Sequence, residues 1–599
     1  MAKTLPKREE VQIEDTWDLT PMYADAKAWE ADLAKLDAKA DALASYEGRM
    51  GESAQSLLEV MQLSDAIGLL IGRVYNYASR LYDQDLGNAK HQAMSAKAMS
   101  AYAKAMAKMA FVTPELLTIS EDKLQAFYAE SEALCLYKHH IDEQIRMKAH
   151  VCTPEIEQLL ATSMEMRQTA EESYSILCDS DLKFPEITDE NGEKVQITSG
   201  RFIRLLESED RRVREETFKA YYSVYQQFNN TMGSLYSGQV KQLCFEAQAR
   251  AYASTLEASV DGNHVPVKVY HNLIETVNAG LDKLHRYVSL RKKLLGVDEL
   301  HMYDIYTPMI AGVAEKYPYE KAQALSLEAL APLGEDYLAV VREAYRDRWI
   351  DVYENEGKRS GAYSATVYGV HPYMLLNYNG ALDEVFTLVH EMGHSMHSYY
   401  SNKKQPAVYA DYTIFVAEVA STCNEILLLE YLLKKETDVK KRAYLLNHYL
   451  DMFKGTLFRQ TQFAEFEMRT NEMQESGEAL TGEMLAKLYH EINGKYYGPD
   501  MVNDDEIAYE WARIPHFYYN FYVYQYATSF CASVAIAHEI LEKGEDYVKI
   551  YKEEFLSGGC SLPPVELLKK VGVNFETPAP IEAALSVMSG VLDALEKLV

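Results

Sequence analysis

Apolar residues return every three or four positions over most of this chain, and turn formers are too scarce to interrupt the pattern often. Trp29, Leu33, Leu36 and Leu43 share one stripe, with Ala40 filling the remaining turn. A denser stripe runs from Leu57 to Tyr75 through Leu63, Ile67, Leu70 and Val74, and an alanine- and methionine-rich segment, 93–109, continues it. The 599 residues include 29 glycines and 17 prolines, below the averages of about 7% and 5%. Long helices follow, and a many-stranded sandwich or barrel is excluded. Apolar residues make up 48% of the chain, enough to offset the entropy of ordering it, so disorder is excluded for most of its length. The expected fold class is mainly α.

Two breaks punctuate the helices. At 182–198, Phe184-Pro-Glu-Ile187 and Lys194-Val-Gln-Ile197 flank Asp189-Glu-Asn191-Gly192, a hairpin signature. We place a boundary near Gly200, with residues 1–200 as an N-terminal helical domain ending in this hairpin and 201–599 as a second helical domain. The helical pattern resumes at Phe202 and runs to about Tyr345, around a loop at Asp261–Pro266. The second break, Gly357 to Gly380, predicts strands at Ala365–Val370 and Pro372–Tyr378. Asp383 then suits a helix N-cap.

Sixty basic against ninety acidic residues leave a net charge of −30. Such a field repels phosphate backbones and anionic headgroups, so nucleic acid and membrane surfaces are poor partners. The seven cysteines are an odd number without a Cys-x-x-Cys pair, the usage of reduced thiols. The first ten residues are charged and lack the apolar stretch of a secretory signal, and no apolar run reaches the length of about 18 that spans a bilayer. A cytoplasmic location is the expectation, with no obligate protein partner evident.

The segment Ala381–His397 contains His390-Glu391-Met-Gly-His394 in a helical stretch. Histidines four apart project from one helix face and can grip one divalent ion. Glu391 lies about 100° round the helix, placed to take a proton from water at the metal. By contrast, His490-Glu491 and His538-Glu539 have no second histidine in register. A catalytic zinc needs a third protein ligand and an open position. Glu418, 24 residues after His394 and set among Phe415, Val416, Val419 and Ala420, is the candidate. A carboxylate so surrounded is costly unless metal-bound or paired with a basic residue. Glu425, two turns further on, reads either as a hydrogen-bond acceptor for a ligand histidine or as ordinary helix surface. His397 reads as similar outer support, a fourth ligand, or a satisfied buried histidine.

A late cluster, Glu510 to Tyr526, places five tyrosines and His516 within eleven residues. Phenols and an imidazole can donate to a developing oxyanion, which singles out His516 with Tyr522 or Tyr524. Most of the remaining aromatics read as helix packing.

Together these segments resemble oligoendopeptidase F, in the thimet-oligopeptidase superfamily of zinc peptidases. The resemblance rests on Tyr373-Met-Leu-Leu-Asn-Tyr378, Asp383 to Tyr399, Phe415-Val-Ala-Glu418-Val-Ala-Ser-Thr and Trp511-Ala-Arg-Ile-Pro-His516-Phe-Tyr. It implies an ellipsoidal multi-helix zincin-type peptidase, with a deep central channel and a small β-sheet beside the metal. It also implies one Zn2+ per chain on His390, His394 and Glu418, with Glu391 as general base and His516 and a tyrosine polarising the carbonyl. The expected function is endopeptidase cleavage of internal bonds in short oligopeptides. Tyr373, Leu375 and Asn377, on a supposed edge strand, and Tyr519 are the expected substrate-binding residues. Two alternatives are a zinc exopeptidase (carboxypeptidase or aminopeptidase) and a non-enzymatic helical peptide-binding protein.

Overall fold

The computed structural model of the protein describes residues 4–310 and 315–599. Residues 1–3, part of the charged amino-terminal stretch, and 311–314, part of the helical run expected from Phe202 to Tyr345, lie outside the described residues. Helix takes up 71% of the chain. The strands among the described residues are two or three residues long: β1 (Glu186–Thr188), β2 (Lys194–Gln196), β3 (Leu300–His301), β4 (Ile350–Asp351), β5 (Tyr363–Ala365), β6 (Tyr373–Leu375) and β7 (Met501–Val502).

Contacts divide the chain into two compact units that interleave in sequence, and neither follows the boundary read near Gly200. Unit one is Met1–Lys148, Glu315–Tyr431 and Ile536–Gly572, and unit two is Ala149–Ala314, Leu432–Ala535 and Val573–Val599.

In unit one, α1 (Ala26–Ala44), α2 (Ala54–Asp83) and α3 (Ala89–Met109) pack together. Each starts where a short polar side chain accepts an otherwise unpaired backbone N–H: Asp25 from Ala28, Ser53 from Ser56, Asn88 from Lys90 and His91, worth about 1 kcal/mol apiece. The stripe of Trp29, Leu33, Leu36, Ala40 and Leu43 is buried as expected. It feeds two cores, and one of them joins Trp17, Trp29, Leu33 and Val74 to Tyr373 and Leu375 of β6.

That sheet runs β4–β6–β5, with β4 parallel and β5 antiparallel to β6. The supposed edge strand is therefore the central one. Tyr373, Met374 and Leu375 are fully buried, and the Asn377 amide donates to the carbonyls of Arg359 and Gly361. Tyr373 and Leu375 belong to the core and Asn377 secures a turn, which corrects their assignment to substrate binding. The other expected strand, Ala365–Val370, is irregular and turn after Ala365, with its extended part shifted to Tyr363–Ala365.

Two helices of unit one cross closely: α4 (Leu382–Lys404) and α5 (Ile414–Lys435), the latter as far as Tyr431. Ala381 caps α4. Asp383, expected as the cap, lies instead in the first turn, where a negative charge still favours the helix dipole. Gly393 of α4 meets the backbone of α5, since a Cβ there would stand 2.5 Å from Ser421 Cα and 2.6 Å from the Ala420 carbonyl oxygen. The Asn424 amide of α5 donates to the Val389 carbonyl across the same crossing (3.3 Å). The Ile536–Gly572 segment packs on this region as well. Phe555 stacks 5.1 Å from His397, and the Cys560 N–H donates to the Tyr409 carbonyl (3.0 Å).

In unit two the expected hairpin forms, β1 against β2, turning through Gly192 at φ 83°. The helical run from Phe202 is broken by β3, which pairs in parallel with β7. Unit two also holds α6 (Arg459–Glu475) and the start of α7 (Tyr524–Lys543). Glu510 of this unit is buried and answered by Arg459, Arg513, Tyr222 and Tyr489, the satisfied network that a buried charge requires.

Candidate active site

The crossing of α4 and α5 brings three ligand-type atoms together. His390 Nε2 and His394 Nε2 lie 3.2 Å apart. Glu418 Oε2 lies 3.3 Å from the first and 3.4 Å from the second. Among the described residues this is the one cluster of three or more such side chains able to share a metal ion.

Hydrogen bonding shows what the cluster accepts. Nδ1 of His390 is 2.6 Å from Glu425 Oε1, and a carboxylate there takes the Nδ1 proton as its hydrogen bond. Nε2 then turns a lone pair toward His394 Nε2 and the Glu418 carboxylate, a meeting of acceptor atoms that a shared cation satisfies. Burial works to lower the His390 pKa, but the Glu418 and Glu425 carboxylates outweigh it and push it up to about 10. For Glu418, burial opposes ionisation, yet the two imidazoles hold its carboxyl well below the usual range. Tetrahedral zinc with bonds of about 2.0–2.1 Å separates its ligands by roughly 3.3–3.4 Å. The three observed edges fit that spacing, and two imidazoles with a carboxylate suit zinc chemically.

Glu391 is buried, and its Oε2 has no hydrogen-bond partner among the described residues. Burial holds its carboxyl above the ordinary carboxylate range, although His390 and His394 pull the other way. A carboxyl so held exchanges protons nearer neutrality than an exposed one.

His397 takes none of the metal-linked roles considered for it. Its ring is fully buried, 3.8 Å from Tyr412 in a parallel stack, and neither ring nitrogen has a hydrogen-bond partner among the described residues. Burial lowers its pKa to about 3, so it packs as a neutral aromatic.

The late cluster belongs to unit two. His516 sits in a short turn, Pro515–Tyr518, with Tyr519 edge-on at 5.6 Å, Tyr522 stacked at 6.2 Å and Tyr526 edge-on at 6.2 Å. Burial lowers the His516 pKa, so the ring is neutral at pH 7 and still donates one N–H. Tyr519 is 46% exposed. Tyr524 does not join the group on this side, because it is buried against Tyr270 at 5.0 Å. Tyr526, one of the five tyrosines of the late cluster, stands edge-on to Tyr522 at 5.4 Å, a meeting that helical spacing does not announce because Tyr522 precedes α7.

The sequence model of Peptidase family M3 matches residues 204–587, and that of Oligopeptidase F matches 115–184. The interval between them contains the β1–β2 hairpin. Oligopeptidase PepF of Bacillus subtilis (strain 168) is 46% identical over 597 residues, covering 100% of this chain and 89% of the relative. An oligoendopeptidase F homolog of Lactococcus lactis subsp. lactis (strain IL1403) is 43% identical, over 99% and 98% of the two chains. The crystal structure of oligoendopeptidase-F from Enterococcus faecium superposes with a TM-score of 0.75 at 40% identity, over 96% of this chain and 99% of that one. Matched in sequence and fold along its whole length, the chain belongs to peptidase family M3, in its oligopeptidase F branch, and is a metalloendopeptidase.

Proposed function

We propose that this enzyme hydrolyses internal peptide bonds of short oligopeptides with one zinc ion held by His390, His394 and Glu418. The observation that carries the reading is the three-atom cluster with the buried Glu391 beside it on the same helix. Zinc, when bound, supplies Lewis acidity that lowers the pKa of water toward about 7 and polarises a carbonyl.

The remaining chemistry belongs to the side chains. Glu391, through the carboxylate oxygen that lacks a partner, accepts a proton from the attacking water and delivers it to the leaving amide nitrogen. Glu425 keeps the His390 ring in one tautomer and one orientation. In unit two, His516, neutral at its N–H, stands with Tyr522 and Tyr526 as a set of hydrogen-bond donors of the kind that can stabilise an oxyanion. Because β6 is paired on both sides, substrate backbone is assigned instead to the outer edge of β5. That strand is anchored to α4 by the Ser364 and Ser395 hydroxyls, 2.8 Å apart, and main-chain pairing there tolerates varied sequences.

The seven free thiols suit a reducing compartment, and no helix among the described residues is long and apolar enough to cross a membrane. Both support a cytoplasmic site of action.

Mass spectrometry of products from a peptide blocked at both termini, with and without chelator, tests the reading. Internal cuts that vanish on chelation are expected. Release of single end residues, and only from unblocked peptides, would overturn it in favour of an exopeptidase.

A further inference from the structure

Unit one also holds a cavity of about 410 Å³ that shares no residue with the crossing of α4 and α5. It is built by α2, the end of α3 and the short helices Val112–Leu116 and Lys138–Arg146, and its size suits a small molecule. Part of its wall is thioether. Met61 is buried on α2, Met109 ends α3, and Met106, 43% exposed, stands at the rim. Unbranched methionine side chains adapt their shape to an apolar occupant.

The polar part of the wall is short of partners. Asp65 of α2 accepts the Tyr137 hydroxyl at 2.7 Å, and among the described residues its carboxyl makes no other hydrogen bond. The one basic group that acts on it is His140, which lines the same cavity. Burial lowers the His140 pKa, so that imidazole is neutral at pH 7 and supplies no counter-charge. Burial also raises the Asp65 pKa against the pull of Tyr137 and His140. A half-buried carboxylate without a cation is costly. Ser64, its neighbour on α2, adds a second unmet group. Its Oγ is buried and has no hydrogen-bond partner among the described residues, although a helical serine can bond the carbonyl four residues back.

One imidazole and one carboxylate are too few for a divalent ion, and the three-membered cluster among the described residues is the one on α4 and α5. A hydrated monovalent ion would leave the thioether wall unused. An ammonium on an apolar skeleton uses both parts.

We propose that this cavity binds a small primary amine with an apolar body. The ammonium donates to Asp65 and Ser64, and the body packs on Met61, Met106 and Met109. The net charge of −30 raises the local concentration of such cations. The site is independent of the hydrolytic reading. Its ligand chemistry has two sources, a free amine or the amino end of a peptide with an apolar first residue.

Isothermal titration calorimetry of the full-length enzyme with isoamylamine tests it. Saturable binding is expected with a Kd of about 1 mM, unchanged when the protein has been treated with chelator. Isoamyl alcohol, which has the same body without the charge, should bind at least about tenfold more weakly. Asp65→Asn keeps the shape and removes the charge, and should weaken the amine about 10–100-fold. Ser64→Val fills the place of the ammonium and should cost at least about tenfold. Leucinamide, titrated in parallel, separates the sources. Affinity equal to that of isoamylamine identifies the amino end of a peptide, and weaker binding identifies a free amine.

No saturable binding up to about 20 mM isoamylamine, equal affinity for the alcohol, or undiminished affinity in Asp65→Asn overturns the inference. If Asp65→Asn does not fold, Ser64→Val decides by the same criterion.

Discussion

Glu425 Oε1 lies 2.6 Å from Nδ1 of His390, seven residues beyond Glu418 on the same helix. One helix therefore supplies both a candidate ligand and the group that orients another. Replacing Glu425 with alanine should leave the ligand set intact but free the His390 ring, and metal affinity should fall about 10–100-fold. Competition with a chelator of known affinity measures this; unchanged affinity would reduce Glu425 to a surface acid.

Glu391→Gln keeps the shape of the side chain and removes its basicity. Turnover should fall by about 10²–10⁴ with zinc content unchanged. Metal analysis alongside single-turnover cleavage separates loss of the base from loss of the ion, and a decrease below about tenfold would remove Glu391 from that role.

At Gly393 a single methyl group meets backbone on α5. Gly393→Ala should push the two helices apart, destabilising the protein by about 1–3 kcal/mol and lowering bound zinc at the same time. Thermal unfolding and metal content of the one variant test both. Normal values for the two would show that the crossing relaxes without cost.

Glu467 gives a stability prediction with a definite sign. Its folded pKa, pushed up by burial to about 8, exceeds the ordinary value of 4.5. Between those values the folded state binds more protons than the unfolded one, so the stability present at low pH is lost as pH rises through that window. Glu467→Gln removes the term, so its gain in Tm over wild type should widen from pH 5 to pH 8 and then level off. A constant difference across that range would contradict the shift.

The amphipathic helices were legible because period and burial coincide: Trp29, Leu33, Leu36 and Leu43 needed no partner to be read as one face. The motif at His390 was equally legible, since four-residue spacing on a helix fixes two ligands locally. Glu418 could be proposed because a carboxylate among Phe415, Val416 and Val419 calls for a counter-charge. What failed was non-local. The short apolar, β-prone run at Tyr373–Leu375 marks a strand but cannot say whether its edges are occupied, and β4 arrives from a separate segment to cover one of them. His397, seven residues after His390, shares its helical face by arithmetic. Yet Tyr412 and Phe555 enclose its ring, and nothing in the local sequence announces them. Among the late tyrosines the sequence could count candidates; separating Tyr522 and Tyr526 from Tyr524 required knowing that α7 begins at Tyr524.

Unit one is assembled from three stretches of chain, the last of which ends at Gly572. On the ribosome, both helices of the HExxH centre emerge well before Phe555 and Cys560 exist to brace them. While residues 436–560 are being added, a nascent chain therefore carries the parts of a protease without its finished scaffold, and the hydrolytic machinery is braced only once that last stretch of unit one has been made.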